Sequence, residues 1–91
     1  MTPESFDAVS PDNLVYVRVA VQGHTLGVQI EEGAMRLPAH EIARRIMACN
    51  DVAYLRGQLA IRQALERSQI PVDDMPTEAD LAQAERNLRE I

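Results

Sequence analysis

A few residues stand out by type and spacing as candidates to act on another molecule. They are His24 and His40, the single Cys49, Asn50, and nine cationic residues, every one of them Arg. An imidazole can serve as acid, base or metal ligand, and a thiolate as nucleophile. His24 stands at a turn, with no Asp, Cys or second His at a metal-binding or triad spacing. His40 falls in the first turn of a helix with Glu41 pointing to another face, which predicts a solvated side chain. Cys49 has no CxxC partner and no adjacent base, so burial as a small hydrophobe is expected. The sequence therefore predicts a non-enzymatic chain without catalytic, cofactor-binding or metal-ligating residues.

Two other features point to binding. Arg45, Arg56 and Arg67 recur at eleven-residue intervals, which is three helical turns, and so line one side of a helix. Such a line matches DNA phosphates or an acidic protein surface; the plainer alternative is a solvated face balanced by Glu41 and Glu66. Asn50 falls inside an apolar arc of the same helix, where an unpaired amide would cost about 1–3 kcal/mol. It needs a partner on the sheet or on a second copy of the chain.

The elements that position these residues follow from periodicity. Pro3 and Pro11 bracket a short arm, with Phe6 and Val9 as its apolar contacts, that suits a short edge strand. From Leu14 the pattern alternates strictly: Val15, Val17, Val19 and Val21 are separated by Tyr16, Arg18 and Ala20. Gly23-His24 then reads as a two-residue type II′ turn, which pairs Val21 with Leu26, Val19 with Val28 and Val17 with Ile30 on one face. The other face would carry Tyr16, Arg18 and Gln29, an exposed set that a second subunit could cover.

A two-stranded ribbon is marginal in water, so its apolar face needs a cover. Pro38 suits the first turn of a helix and Glu41 its positive end, and nothing interrupts the helical pattern up to Arg67. One apolar arc of this helix includes Ile46, Met47, Ala53, Tyr54 and Gly57; a second, narrower stripe comprises Ala48, Val52, Leu55 and Leu59. After Ile70 the Pro-bounded, acidic "PVDDMP" leads to a short helix with Thr77 as N-cap and Asp80 at the capping-box position. The last helix could cover the second stripe or serve as an exposed docking tail. The chain thus divides into residues 1–70, hairpin and long helix, and residues 71–91, acidic linker and amphipathic helix. The expected fold class is α+β, a small antiparallel sheet packed by a long helix with a short C-terminal helix.

With 91 residues and 46% hydrophobic content, one core barely offsets chain entropy. A homodimer is the expected remedy, with Val52, Leu55 and Leu59, or the sheet edge, at the contact. The lone cysteine suits a reducing compartment, and no apolar run approaches the ~18 residues of a membrane span, so a cytoplasmic protein is expected. The net charge is -5, divided as -3 over residues 1–37, +2 over residues 38–70 and -4 over residues 71–91. A general attraction to polyanions is disfavoured, and DNA stands as the alternative partner to an unidentified protein.

The stretch "VYVRVAVQGHTLGVQIEEG" resembles the V-x-V-x-x-x-G-H... V-x-I-[DE] hairpin of the YbaB/EbfC family of small nucleoid-associated proteins, and "EIARRIMACNDVA" is similar to its A-x-R-[IV]... N-x-A helix. The resemblance covers about residues 5 to 66 and is greatest to YbaB-like proteins encoded beside actinobacterial type VII (ESX) secretion systems. "MPTEADLAQAERNL" is similar to the C-terminal helix of one secretion-associated member. The resemblance implies an α/β homodimer, sheet packed by helices, acting either as a protein-interaction module linked to type VII secretion or as a DNA binder. The long N-terminal helix and Lys-rich helical ends of typical members have no counterpart here.

Overall fold

The computed structural model describes residues 4–91 and has the α+β architecture expected. Three antiparallel strands, β1 (Ser5–Val9), β2 (Val15–Ala20) and β3 (Thr25–Ile30), lie in the order β1-β2-β3. A 3-10 turn over Glu32–Arg36 leads to α1 (Ala39–Arg67), and α2 (Glu78–Arg89) ends the fold. The N-terminal arm is an edge strand, as its punctuation suggests; Pro3 lies outside the described residues. Its inward residues are Phe6 and Ala8, paired with Val19 and Val17, while Val9 turns outward and is exposed.

Away from its turn, over residues 15–19 and 27–30, the hairpin keeps its expected faces but not its expected register; nearer the turn, Thr25 now faces Val19 on the covered side. Gly23 N–H donates to the Ala20 carbonyl and Ala20 N–H to the His24 carbonyl, each at 2.8 Å, so Val21, Gln22 and Gly23 form a three-residue loop. Gly23, at φ 112, sits at the third loop position rather than the first of a type II′ turn. That loop alone would move the pairing by an odd number of residues and turn Val28 and Ile30 away from the β2 valines. A bulge between Arg18 and Val19 adds one more residue on β3 and restores the parity. The net shift is two: Val17 faces Val28, Val15 faces Ile30, Tyr16 faces Gln29 and Arg18 faces Gly27.

Helix α1 covers only part of this sheet. Val15, Val17 and Val19 are fully buried beneath Cys49 and Ala53, and Gly57 of α1 lies against Phe6 of β1. A methyl there would stand 3.4 Å from the Phe6 ring. Pro38 precedes the helix as its N-cap, with ψ 152, rather than occupying its first turn, because its ring tolerates extended backbone where the helix must begin.

The second stripe of α1 is covered within the chain. Val52 is fully buried in a core that continues into Ala84 and Leu88 of α2, and Leu59, nearly as buried, lies beside Phe6 and Leu81. Leu55, Leu81 and Ile91 pack around that core. The expectation that Val52, Leu55 and Leu59 form a dimer contact is thereby corrected: the C-terminal helix has already taken that surface. Helix α2 is held at its start by the full capping box, with Thr77 N–H donating to Asp80 Oδ2 at 2.8 Å and Asp80 N–H to Thr77 Oγ1 at 3.4 Å. The linker is tied back by Arg62, whose Nη1 donates to the Met75 and Pro76 carbonyls at 3.1 and 3.2 Å.

Candidate functional site

All six residues of β3 are exposed, although three of them carry the apolar pattern that should be buried. Leu26, Val28 and Ile30 retain 49%, 43% and 40% of their surface. The cause is geometric: α1 lies over β1 and β2, and β3 overhangs its flank. The neighbouring row of α1 is open as well. Ala43, Met47, Asn50 and Tyr54 follow at helical spacing, and Met47 keeps 67% of its surface and Tyr54 38%. Met47 and Tyr54, expected in the covered arc, instead face this overhang.

The backbone of β3 is equally available. Ladder alternation, anchored by Glu31 N–H to the Leu14 carbonyl at 2.8 Å, turns Gly27 and Gln29 toward β2 and Val28 and Ile30 toward the free edge. Among the described residues no group bonds the outward N–H and C=O of Val28 and Ile30. An unpaired edge beside an apolar row is the geometry that accepts another strand.

The outward face of the sheet gathers Tyr16, Arg18 and Gln29, as expected from alternation. With Gly27 and Val28 they line a shallow depression of about 180 Å³. Tyr16 Oη donates to Asp7 Oδ2 at 2.9 Å, and that bond to a carboxylate raises the phenol pKa. Gln29 Nε2 donates to Glu31 Oε1 at 2.7 Å, while Arg18 is exposed. Asn50 finds its partner on the sheet, its Oδ1 accepting from Thr25 Oγ1 at 2.8 Å.

The three arginines do not form a common anion-binding line. Arg45 is buried, its Nε donating to Asp12 Oδ2 at 2.9 Å and its Nη1 to the Glu41 carbonyl and carboxylate at 3.0 and 3.2 Å. Arg56 donates to the Asp7 carbonyl at 2.7 Å and to Glu85 Oε2 at 3.2 Å. Arg67, in the last helical turn, is exposed. Equal spacing put the three on one helical side, but the β1–β2 loop and α2 pack there and engage the first two.

Asp12 is the residue that sequence reasoning passed over. Its Oδ1 accepts from Ser10 Oγ at 2.6 Å and Leu14 N–H at 3.2 Å, closing the loop in which Asn13 adopts φ 62. The Ser10 hydroxyl, with help from Arg45 and the Leu14 amide, holds its carboxyl below the usual value. The signal was present in "SPDN", where Ser and Asp favour a turn closed by their own side chains.

Cys49 is buried, and desolvation pushes its thiol up to about 11, which disfavours the thiolate that nucleophilic chemistry needs. His24 and His40 are exposed. Among the described residues no three His, Cys, Asp or Glu side chains stand where they could hold a metal ion, and no helix is long and apolar enough to cross a membrane. No curated protein and no solved structure matches the chain. A family model described as "Protein of unknown function (DUF2694)" matches residues 1–90, and the chain belongs to that family.

Proposed function

We propose that this chain is a non-enzymatic protein-interaction module that pairs with a second copy of itself through β3. The single observation carrying the reading is the open edge of β3 beside its exposed row of Leu26, Val28 and Ile30. The edge is self-complementary. A twofold axis at Val28 would pair Val28 with its mate and Leu26 with Ile30 of the second copy, bonding the free backbone groups and joining both apolar rows. Gln29 would face Gly27 and Glu31 would face Thr25, so no like charges oppose each other.

The resemblance to YbaB-like proteins supports the homodimer and supplies the link to type VII secretion; the lone buried cysteine supports a cytoplasmic setting. DNA is the weaker partner because two of the three candidate arginines are already engaged and the chain is acidic. Sedimentation equilibrium tests the reading: the expected mass is twice the 10.1 kDa of the chain, and Val28→Glu, which sets two carboxylates face to face at the axis, should return it to one copy. A monomeric native chain would refute the pairing. Tight, steeply salt-dependent binding of duplex DNA would refute the choice of partner.

A further inference from the structure

The sheet has two edges, and the chain treats them differently. In β1, Glu4 and Ser10 bond to Val21 and Val15 of the β2 side, so the alternation turns the backbone groups of Ser5, Asp7 and Val9 outward. The central one of these outward carbonyls, that of Asp7, is occupied by Arg56 Nη1 at 2.7 Å. The guanidinium is held there by Glu85 of α2 at 3.2 Å, and Phe6, Leu59, Leu81 and Glu85 line the cleft beside it. A strand adding to β1 would need the Asp7 carbonyl for its own N–H. It would have to displace Arg56, strand Glu85 without its partner, and bring a charge against the new ladder.

We infer that Arg56 closes the β1 edge, so that sheet extension through β3 stops at two copies of this chain. The inference rests on the pairing through β3 proposed above. Two copies joined at β3 form one six-stranded sheet whose outer strands are both β1. Were those ends open, each could take a further strand, and two different contacts per chain generate an open-ended fibre rather than a closed pair. The arginine that spacing marked as an anion contact thus acts as a terminator of assembly.

Sedimentation velocity over a micromolar to millimolar series, with circular dichroism to verify folding, tests the inference on the full chain. Arg56→Met keeps the aliphatic stem and removes the guanidinium; species heavier than two copies, growing with concentration, are expected. Arg56→Lys keeps a charge at the edge and should remain at two copies. Should the Met variant fail to fold, Arg56→Gln, whose amide is too short to reach the Asp7 carbonyl, is expected to grow in the same way. A folded Arg56→Met or Arg56→Gln chain that stays at the native mass throughout overturns the inference. The two proposals fail separately: a native monomer sinks pairing through β3, yet a rise in mass on losing Arg56 still supports the closed edge.

Discussion

The bond between Arg45 and Asp12 is the contact whose removal should weaken the fold most for its size. Arg45 crosses from α1 to the β1–β2 loop and retains 8% of its surface, with three hydrogen bonds, two of them to carboxylates. A hydrogen bond to a charged group contributes about 1.5–3 kcal/mol. The Asp12 side chain is 34% exposed and Glu41 27%, so water screens both and recovers part of what is lost. Arg45→Met keeps the stem against the core and should cost about 2 kcal/mol in all, near the low end for one such bond plus the carbonyl contact. For a chain of this length that lowers the melting temperature by roughly 8–16 °C. The assay is a double-mutant cycle with Asp12→Asn, at fixed protein concentration because self-association shifts apparent stability. A coupling energy of about 1 kcal/mol is expected. The pH dependence has a fixed sign. The Asp12 carboxyl is lowered in the folded chain, so its contribution is complete above the unfolded value near 3.8 and disappears as pH falls from there through the folded pKa. The gap between native and Asp12→Asn chains should therefore close in acid. Additivity of the two substitutions within about 0.3 kcal/mol, or a gap unchanged down to the most acidic conditions, would refute the argument.

Leu88→Ala removes the α2 side chain set in the core beside Val52 and should destabilise by about 2–4 kcal/mol in urea titration, since the neighbours collapse only partly. Because that contact lies within one chain, the loss should not depend on protein concentration. Cys49, buried with its thiol raised to about 11, should react with a maleimide at mildly alkaline pH only as fast as the chain opens, and at full rate in denaturant.

How much of the fold a sequence reveals depends on which property the pattern encodes. Alternation along residues 15–19 and 28–30 encodes parity, and there parity is what the structure keeps. The register depends instead on loop length and on the bulge, which cancel to an even shift of two. Neither leaves a distinct mark, because a Gly at positive φ serves the first position of a two-residue loop and the third of a three-residue loop alike. Local chemistry read well for the same reason that it is local: the Thr77–Asp80 capping box spans three residues and needs nothing distant.

The candidate site was harder to read because exposure is a property of the neighbours. Leu26, Val28 and Ile30 carry the same pattern as the β2 valines, yet α1 is one helix wide and cannot cover three strands. Which strand is left out depends on the lateral position of α1. Cys49 and Ala53 fix it: their small side chains, packed on the β2 valines, let the helix settle close to β2 and β1, at the expense of β3. The arginines show the converse. Their spacing fixes a helical side, but Asp12, Asp7 and Glu85 come from three other segments, and only tertiary packing brings them to Arg45 and Arg56. The same packing that leaves the β3 edge open therefore consumes two of the charges an anion site would need, and this is the ground on which pairing with protein is proposed ahead of DNA.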